Sequence, residues 1–320
     1  MVMNAMMSDP VADIVADVVA TTRGGSLMYS RNRFHAPWGA AFPAGNLASF
    51  HVITTGACWL TACDTGPVQL TRGDVALIPS GAAHELADTP QRPVRPMAEI
   101  AGRTLDDGAP PSDILIEGDG PATAWICGGY RLAAGVRHPL TSVLPDVVVI
   151  TAAEARGTGL GAAVALIAAE VDGTDPGAPA VMASLVDLLL VYLLRTWFAG
   201  HHDDAGWGRA LSDPTVGTAL SLIHANPGRA WTLDTLASAA RTPRATLTRR
   251  FAALTGQSPI AYLTAWRMSL AARRLRDGDA TVRQIAQETG YDSEFAFARA
   301  FKRATGTAPG QYRKLAQTTG

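Results

Sequence analysis

Cysteine is nearly missing from this chain. Three residues in 320, Cys58, Cys63 and Cys127, are too few and too scattered to staple a small secreted fold. Charge is also thin. At 17% of residues against 48% apolar, it excludes a disordered chain and suits a packed globular protein. No basic stretch followed by an apolar core opens the sequence, so no secretory leader is read. A clean membrane span is lacking too. Asp187 and Arg195 interrupt the longest apolar stretch, residues 180–199, and each charge costs about 2.5–3.5 kcal/mol at the centre of a membrane helix. A buried helix at a domain or subunit contact is the better reading, with no membrane partner and a reducing cytoplasm as the simplest location.

What the chain does have is asymmetry. Its 320 residues exceed the usual single-domain size, so two domains are expected. The net charge is −1, yet residues 215–320 hold fifteen Lys or Arg against six Asp or Glu, a balance of +9. The other 214 residues hold twelve against twenty-two, a balance of −10. A basic end joined to an acidic one suggests that the basic end meets a polyanion. A solvated basic surface would carry the same charge, so a pattern has to decide.

The pattern is an internal repeat. Phe251-x3-Thr255-Gly256-x2-Pro259-x2-Tyr262 returns as Phe301-x3-Thr305-Gly306-x2-Pro309-x2-Tyr312, every pair fifty residues apart. Upstream, Leu236-Ala237 matches Ile285-Ala286 at an offset of forty-nine, so the second copy has one extra turn residue. Each copy reads as helix, turn, helix. In the second, Thr281 and Gln284 form a capping box ahead of Val282, Ile285 and Ala286, and Gly290 supplies the turn. Ser293 is the expected N-cap of the next helix, with Glu294 favoured in its first turn. Phe297 and Phe301 face inward there, leaving Arg299, Lys302 and Arg303 outside. In the first copy Thr232 caps a helix carrying Leu233, Leu236 and Ala237. A second helix starts near Thr242-Pro243, with proline expected at its first position. Leu247 and Phe251 form its buried ridge, and Arg244, Ala245, Thr248 and Arg249 point outward. Between the copies Ser258-Pro259 starts a long helix through Leu263, Trp266 and Leu270 that ends at Asp277-Gly278, a stiff connector. Arg273, Arg274, Arg276 and Arg283 read as solvated or phosphate-facing charges.

These residues resemble the AraC/XylS family of bacterial regulators, through Ile285-Ala286, Gly290-Tyr291-x-Ser293, Phe297-x-Arg299-x-Phe301-Lys302, Gly306-x2-Pro309 and Tyr312-Arg313. The resemblance covers roughly residues 215–315. It implies double-stranded promoter DNA as the partner, with RNA polymerase beside it, and two recognition helices entering successive major-groove segments. Carried over by position, the contacts are Arg244, Ala245, Thr248 and Arg249 in the first copy, and Ser293, Glu294, Phe295, Arg299 and Lys302 in the second. Pro243 stands where the family commonly has a capping serine. Small or apolar Ala245, Phe295 and Ala296 offer little hydrogen-bonding readout, so phosphate and methyl contacts should carry a larger share.

Ahead of the repeat, from about Ser26 to Leu86, short β-type runs alternate with turns: Ser49–Ile53, Cys58–Ala62, Val68–Leu70 and Val75–Ile78. Such spacing suggests a small barrel or sandwich. Gly73-x5-Pro79-x-Gly81-x2-His84 resembles the second motif of cupin barrels, whose histidine is often a metal ligand. The first cupin motif, with its His-x-His pair and glutamate, is missing, and His51 alone stands near its place. His51, His84, Cys127 and His138 are the candidate ligands for zinc or another divalent metal. The competing reading makes His84 a turn residue and Cys127 an ordinary buried thiol. Trp38, Trp59 and Tyr130 are candidates to line an effector pocket, with core packing as the alternative. Val181, Leu185, Leu188, Leu189 and Tyr192 form an apolar stripe that suits a dimer contact or internal packing.

The expected fold is α+β in two domains: a cupin-like β-barrel followed by helices, then an all-α double helix-turn-helix. Residues 1–150 would be the effector domain, 151–214 a helical linker and dimerisation segment, and 215–320 the DNA-binding domain. The expected function is a transcription regulator responsive to a small molecule or ion. A cupin enzyme with an appended DNA-binding domain would need three or four metal ligands, which the missing motif does not supply. A regulator controlled by abundance or a protein partner is the third reading.

Overall fold

Strand patterning builds the first unit. The computed structural model describes residues 28–45, 47–62, 66–102, 112–131, 144–171, 175–200 and 207–318, together with Ile14 and Asp17. Among them are eleven strands: β1 (Met28–His35), β2 (Gly39–Phe42), β3 (Leu47–Thr55), β4 (Ala57–Ala62), β5 (Val68–Thr71), β6 (Val75–Ile78), β7 (His84–Ala87), β8 (Arg95–Pro96), β9 (Ser112–Ile116), β10 (Ala122–Arg131) and β11 (Val148–Ile150). They form a six-stranded sheet in the order β11-β6-β3-β10-β1-β9 and a five-stranded sheet in the order β5-β4-β7-β2-β8. In β4 the alternation is strict: Cys58, Leu60 and Ala62 are buried, while Ala57, Trp59 and Thr61 are half-exposed. Such a strand buries one face and wets the other. The core holds Phe34, Trp38, Ile53, Leu60, Leu86 and Trp125, with Trp38 stacked on Trp125 at 4.9 Å.

Strands β9 to β11 lie beyond the stretch whose alternation was legible. β10 pairs with β1 on one side and β3 on the other, and Thr123, Ala124, Trp125 and Ile126 are all buried. A strand covered on both faces loses its period-two signature.

The glycines of the Gly73-to-His84 motif have a conformational reason. Gly73 and Gly81 adopt φ of 92° and 69°, the left-handed region. A Cβ on Gly81 would also lie 2.6 Å from the carbonyl oxygens of both Gly45 and Leu47. This turn delivers His84 as the first residue of β7. Asp74 ties the same corner, its carboxylate accepting from Thr71 N at 2.7 Å and from Ala152 N at 2.7 Å.

Helices α1 (Gly159–Val171) and α2 (Ala178–Gly200) follow the strands. Leu185 and Leu189 of the apolar stripe are buried, whereas Val181 and Leu188 are each 45% exposed. The stripe therefore splits, part used internally and part left outside. By length and composition α2 could cross a membrane from Ala180 to Gly200, and 44% of that window is buried within the chain. The described residues between Met28 and Arg131 pack with those from Leu144 to Trp197 as one compact unit, so these helices join the sheets for nearly all their length.

The second unit comprises, of the described residues, 198–200 and 207–318 together with Ile14 and Asp17. Its helices are α3 (Trp207–Ser212), α4 (Pro214–Ala225), α5 (Leu233–Ala239), α6 (Arg244–Thr255), α7 (Pro259–Asp277), α8 (Val282–Glu288), α9 (Glu294–Thr305) and α10 (Pro309–Thr318). Capping boxes at Thr232 and Thr281 start α5 and α8, and Ser258 and Ser293 cap α7 and α9 through Ala261 N and Ala296 N. Pro243 is the N-cap of α6 rather than its first helical residue, and it has no side chain to bond the exposed amides.

The repeat holds in three dimensions. Gly256 and Gly306 end α6 and α9 with φ of 74° and 76°. Phe251 meets Tyr262 edge-on at 5.7 Å, as Phe301 meets Tyr312 at 5.3 Å. The turns match as well: Arg241 and Gly290 both take positive φ, followed by Thr242 N bonded to Ala237 O and Tyr291 N bonded to Ala286 O. The extra residue of the second copy therefore lies after this turn, at Asp292, just before the cap. Connector α7 packs on α6, α8, α9 and α10. Its Arg267 donates to the carbonyls of Pro227 and Arg229 at 2.7 Å each, joining it to the loop before α5.

Candidate nucleic-acid interface and histidine pair

Helices α6 and α9 each bury one ridge and expose the opposite face. Leu247 and Phe251, like Phe297 and Phe301, have no exposed surface. On α6, Arg244, Ala245 and Arg249 are exposed and Thr248 is half-buried. Arg244 pairs with Asp234 at 3.3 Å, both largely in solvent. Thr248 donates its hydroxyl to Arg244 O at 3.0 Å, which leaves it a methyl group and an acceptor for any ligand. Arg250 faces elsewhere and pairs with Asp213, the N-cap of α4. That contact separates a structural arginine from its neighbour Arg249. On α9, Ser293, Glu294, Phe295, Arg299 and Lys302 are all exposed. Phe295 is 73% exposed, and the Arg299 guanidinium lies 5.9 Å from its ring centre. Of the arginines read as solvated, Arg274 makes a two-bond pair with Glu288 at 2.9 and 2.8 Å, bracing α7 against α8. Arg276 pairs with Asp277 at 2.7 Å.

The sheet unit brings two of the four candidate ligands together. His51 of β3 and His84 of β7 come from different sheets, and their Nε2 atoms lie 2.8 Å apart. His84 Nδ1–H donates to Ala82 O at 3.0 Å, so its Nε2 is the acceptor for the His51 Nε2–H. His51 Nδ1 is then a buried lone pair with no partner among the described residues. Phe42 stacks on His84 at 4.8 Å and meets His51 edge-on. Burial holds the His51 pKa well below the ordinary imidazole value, helped by His84. Burial lowers His84 too, against a smaller upward pull from the Ala82 carbonyl. Both rings are therefore neutral at pH 7.

Cys127 pairs with His51 in the β10–β3 register, but burial pushes its thiol up to about 12, a smaller opposing effect coming from Ser30. It is a protonated thiol in the metal-free chain. His138 lies outside the described residues. Among those described, no group of three or more His, Cys, Asp or Glu gathers as a metal shell. Two imidazoles fall short of the three or four protein ligands zinc takes, so the donors described do not fit a zinc centre.

Two family models match this chain, a cupin over residues 13–199 and a helix-turn-helix domain over residues 236–315. An AraC-like transcription regulator of Streptomyces lividans is 32% identical over 308 residues, 96% of this chain and 98% of its own. The chain belongs to the AraC-like transcription regulators. This AraC-like regulator is also similar to the transcriptional regulator AlkR of Acinetobacter baylyi, at 29% identity over 82% of the chain and 87% of that protein. Among solved structures, the DNA-binding domain of AdpA in complex with a target DNA is 30% identical. That match covers 33% of this chain and 95% of the other, with a TM-score of 0.31. The regulator is thus a two-domain α+β protein, a cupin with its sheets ahead of a helical DNA-binding domain.

The three aromatics expected to line an effector pocket do not share one. Trp38 is stacked in the core, Trp59 points to the opposite face of β4 from Leu60, and Tyr130 packs on Phe50 and donates its hydroxyl to Val186 O at 2.7 Å. An open cavity of about 380 Å³ lies instead beside the histidine pair, lined by Ala41, Phe42, Pro43, Thr61, Ala62, Ala83, His84, Glu85 and Pro96. Of these only His84 was marked in the sequence. Apart from Glu85 the others are small or apolar residues on or beside β2, β4, β7 and β8, and nothing in their local spacing tells that they converge.

Proposed function

We propose that this AraC-like regulator holds promoter DNA with α6 and α9 in successive major-groove segments and answers to an effector bound in the sheet unit. One observation carries the DNA half. Two capped helix-turn-helix copies hang on one connector helix, and each offers an exposed arginine, Arg249 and Arg299, at matched positions fifty residues apart. The stiff connector supports simultaneous entry of both helices, with Arg244, Ala245 and Thr248 beside Arg249, and Ser293, Glu294, Phe295 and Lys302 beside Arg299. Contact with RNA polymerase would follow from standing at a promoter.

For the effector half, the cavity beside His84 supports a small molecule with an apolar body and a polar end, matched by Thr61, His84 and Glu85. The outward part of α2, Val181 and Leu188, supports pairing of two copies. Cys58 and Cys127 as free thiols fit a cytoplasmic setting. The working division is a sensor within about residues 1–150, a dimerisation segment over 151–214 and the DNA-binding domain over 215–320.

The test is binding of the full chain to a site selected from random duplexes. Six to ten phosphate contacts would lower the affinity on the order of a thousandfold or more between 50 and 200 mM salt. Arg249→Ala and Arg299→Ala should each cost about 1–3 kcal/mol and relax preference at one base position. Salt-insensitive binding, or alanine variants with unchanged affinity and preference, would sink the assignment.

A further inference from the structure

Of the large apolar side chains exposed among the described residues, Phe295 is the most exposed, at 73%, and the only aromatic. A phenylalanine left in water at the second position of a capped helix asks what covers it. The Arg299 guanidinium lies 5.9 Å from its ring centre, within the range of a cation–π contact. The two residues are one helical turn apart, so they share a face and are about 6 Å apart along the axis. Lys302 and Arg303 lie exposed in the last turn of the same helix, so an anionic partner suits its surroundings.

The first recognition helix supplies an internal comparison. The fifty-residue offset puts Ala245 opposite Phe295 and Arg249 opposite Arg299. Arg249 thus has the same charge at the same place without the aromatic shelf.

We infer that Phe295 and Arg299 act as one reading unit for a thymine beside a guanine in the segment bound by α9, a pairing of aromatic and guanidinium that α6 lacks. This rests on the DNA-binding reading above. Guanine offers O6 and N7 to a two-pronged guanidinium, and thymine is the base with a 5-methyl group in the major groove. The ring of Phe295 has no hydrogen-bonding atom, so that methyl is the feature of a base edge it can recognise. With the ring against one side of its guanidinium, Arg299 loses less side-chain freedom on reaching the guanine. Arg249 pays that cost in full.

The experiment uses the full-length chain and its selected duplex. Each thymine is replaced in turn by deoxyuridine, which removes only the methyl group. One thymine in the α9 segment should lose about three- to fivefold in affinity, as expected for one buried methyl. Phe295→Ala should bind the thymine duplex as weakly as the wild type binds the deoxyuridine duplex, and should no longer distinguish the two. Replacing the neighbouring guanine by 7-deazaguanine should weaken the wild type and leave Arg299→Ala unchanged.

A duplex bound tightly and with salt sensitivity, yet indifferent to every deoxyuridine, overturns this inference and leaves the DNA-binding reading intact. A Phe295→Ala chain that still discriminates overturns it as well, and would assign the exposed ring to a protein contact. Failure of the wild type to select any duplex would bring down both readings.

Discussion

At the scale of single residues, matched positions have become different devices. Arg241 and Gly290 occupy the same turn of the two copies, both at positive φ. Arg241 proves that the first turn tolerates a side chain. A Cβ on Gly290 would lie 2.6 Å from the carbonyl oxygen of Gly228 and 2.5 Å from a nitrogen of Arg267, the residue that ties connector α7 to the loop before α5. Gly290→Ala should therefore cost more than backbone strain alone, about 2–3 kcal/mol in urea denaturation, whereas Arg241→Gly should change stability by less than about 1 kcal/mol. Equal effects would mean that the joint yields freely. The histidine pair makes a second residue-scale prediction. His51 and His84 have folded pKa values lowered by burial below the 6.5 of an exposed imidazole. Below pH 6.5 the unfolded chain then binds more protons than the folded one, so stability is present above that value and drains away as pH falls through it. The ceiling is about 1.4 kcal/mol per pH unit per site. Between pH 7.5 and 5 the wild type should lose stability more steeply than His51→Leu, measured by urea midpoints at each pH. Parallel pH profiles would show that the pair is not what titrates.

Among the elements, caps divide the two recognition helices. Ser293 closes the start of α9 by accepting from Ala296 N at 3.3 Å, while Pro243 leaves the first amides of α6 without a side-chain partner. The short helices before the turns are both boxed, through Thr232 with Thr235 and Thr281 with Gln284. A helix of seven residues such as α8 cannot hold itself in water, so its cap and the burial of Ile285 and Ala286 decide whether the turn to α9 is formed. Thr281→Ala should cost about 1 kcal/mol of global stability. It should also raise amide exchange in α8 before it does so in α7. Uniform exchange across both helices would show that α8 is held by packing alone.

For the whole molecule the useful contrast is between the unit of sheets and the basic helical unit. Helix α2 is long and apolar enough to cross a membrane, and its Leu189, Leu193 and Leu194 are buried within the chain. Val181 and Leu188 remain as an outward strip, with 45% of each exposed. Leu188→Glu should leave thermal stability nearly unchanged, since the side chain is not in the core, but should shift a dimer towards monomer in sedimentation at micromolar concentration. A chain that sediments identically with either residue would remove α2 from the interface.

Local signals determined the helical half by themselves. Caps, turn glycines and inward phenylalanines recur within a dozen residues of one another, and helices obey such short-range rules. The fifty-residue repeat, the connector from Pro259 to Asp277 and the cap at Ser293 were all legible for that reason, and the shift of Pro243 by one position is the scale of the error. The sheet half was legible as alternating strands and one glycine-framed turn. Its interior was not. His51 and His84 stand thirty-three residues apart, on different sheets, and only packing of the two sheets sets their Nε2 atoms 2.8 Å from each other. The same packing took Trp38 into the core, turned Trp59 away and formed a cavity from residues with no common spacing. Contacts across a sandwich depend on register and sheet order, which are summed over the whole chain, and no window of sequence carries that sum.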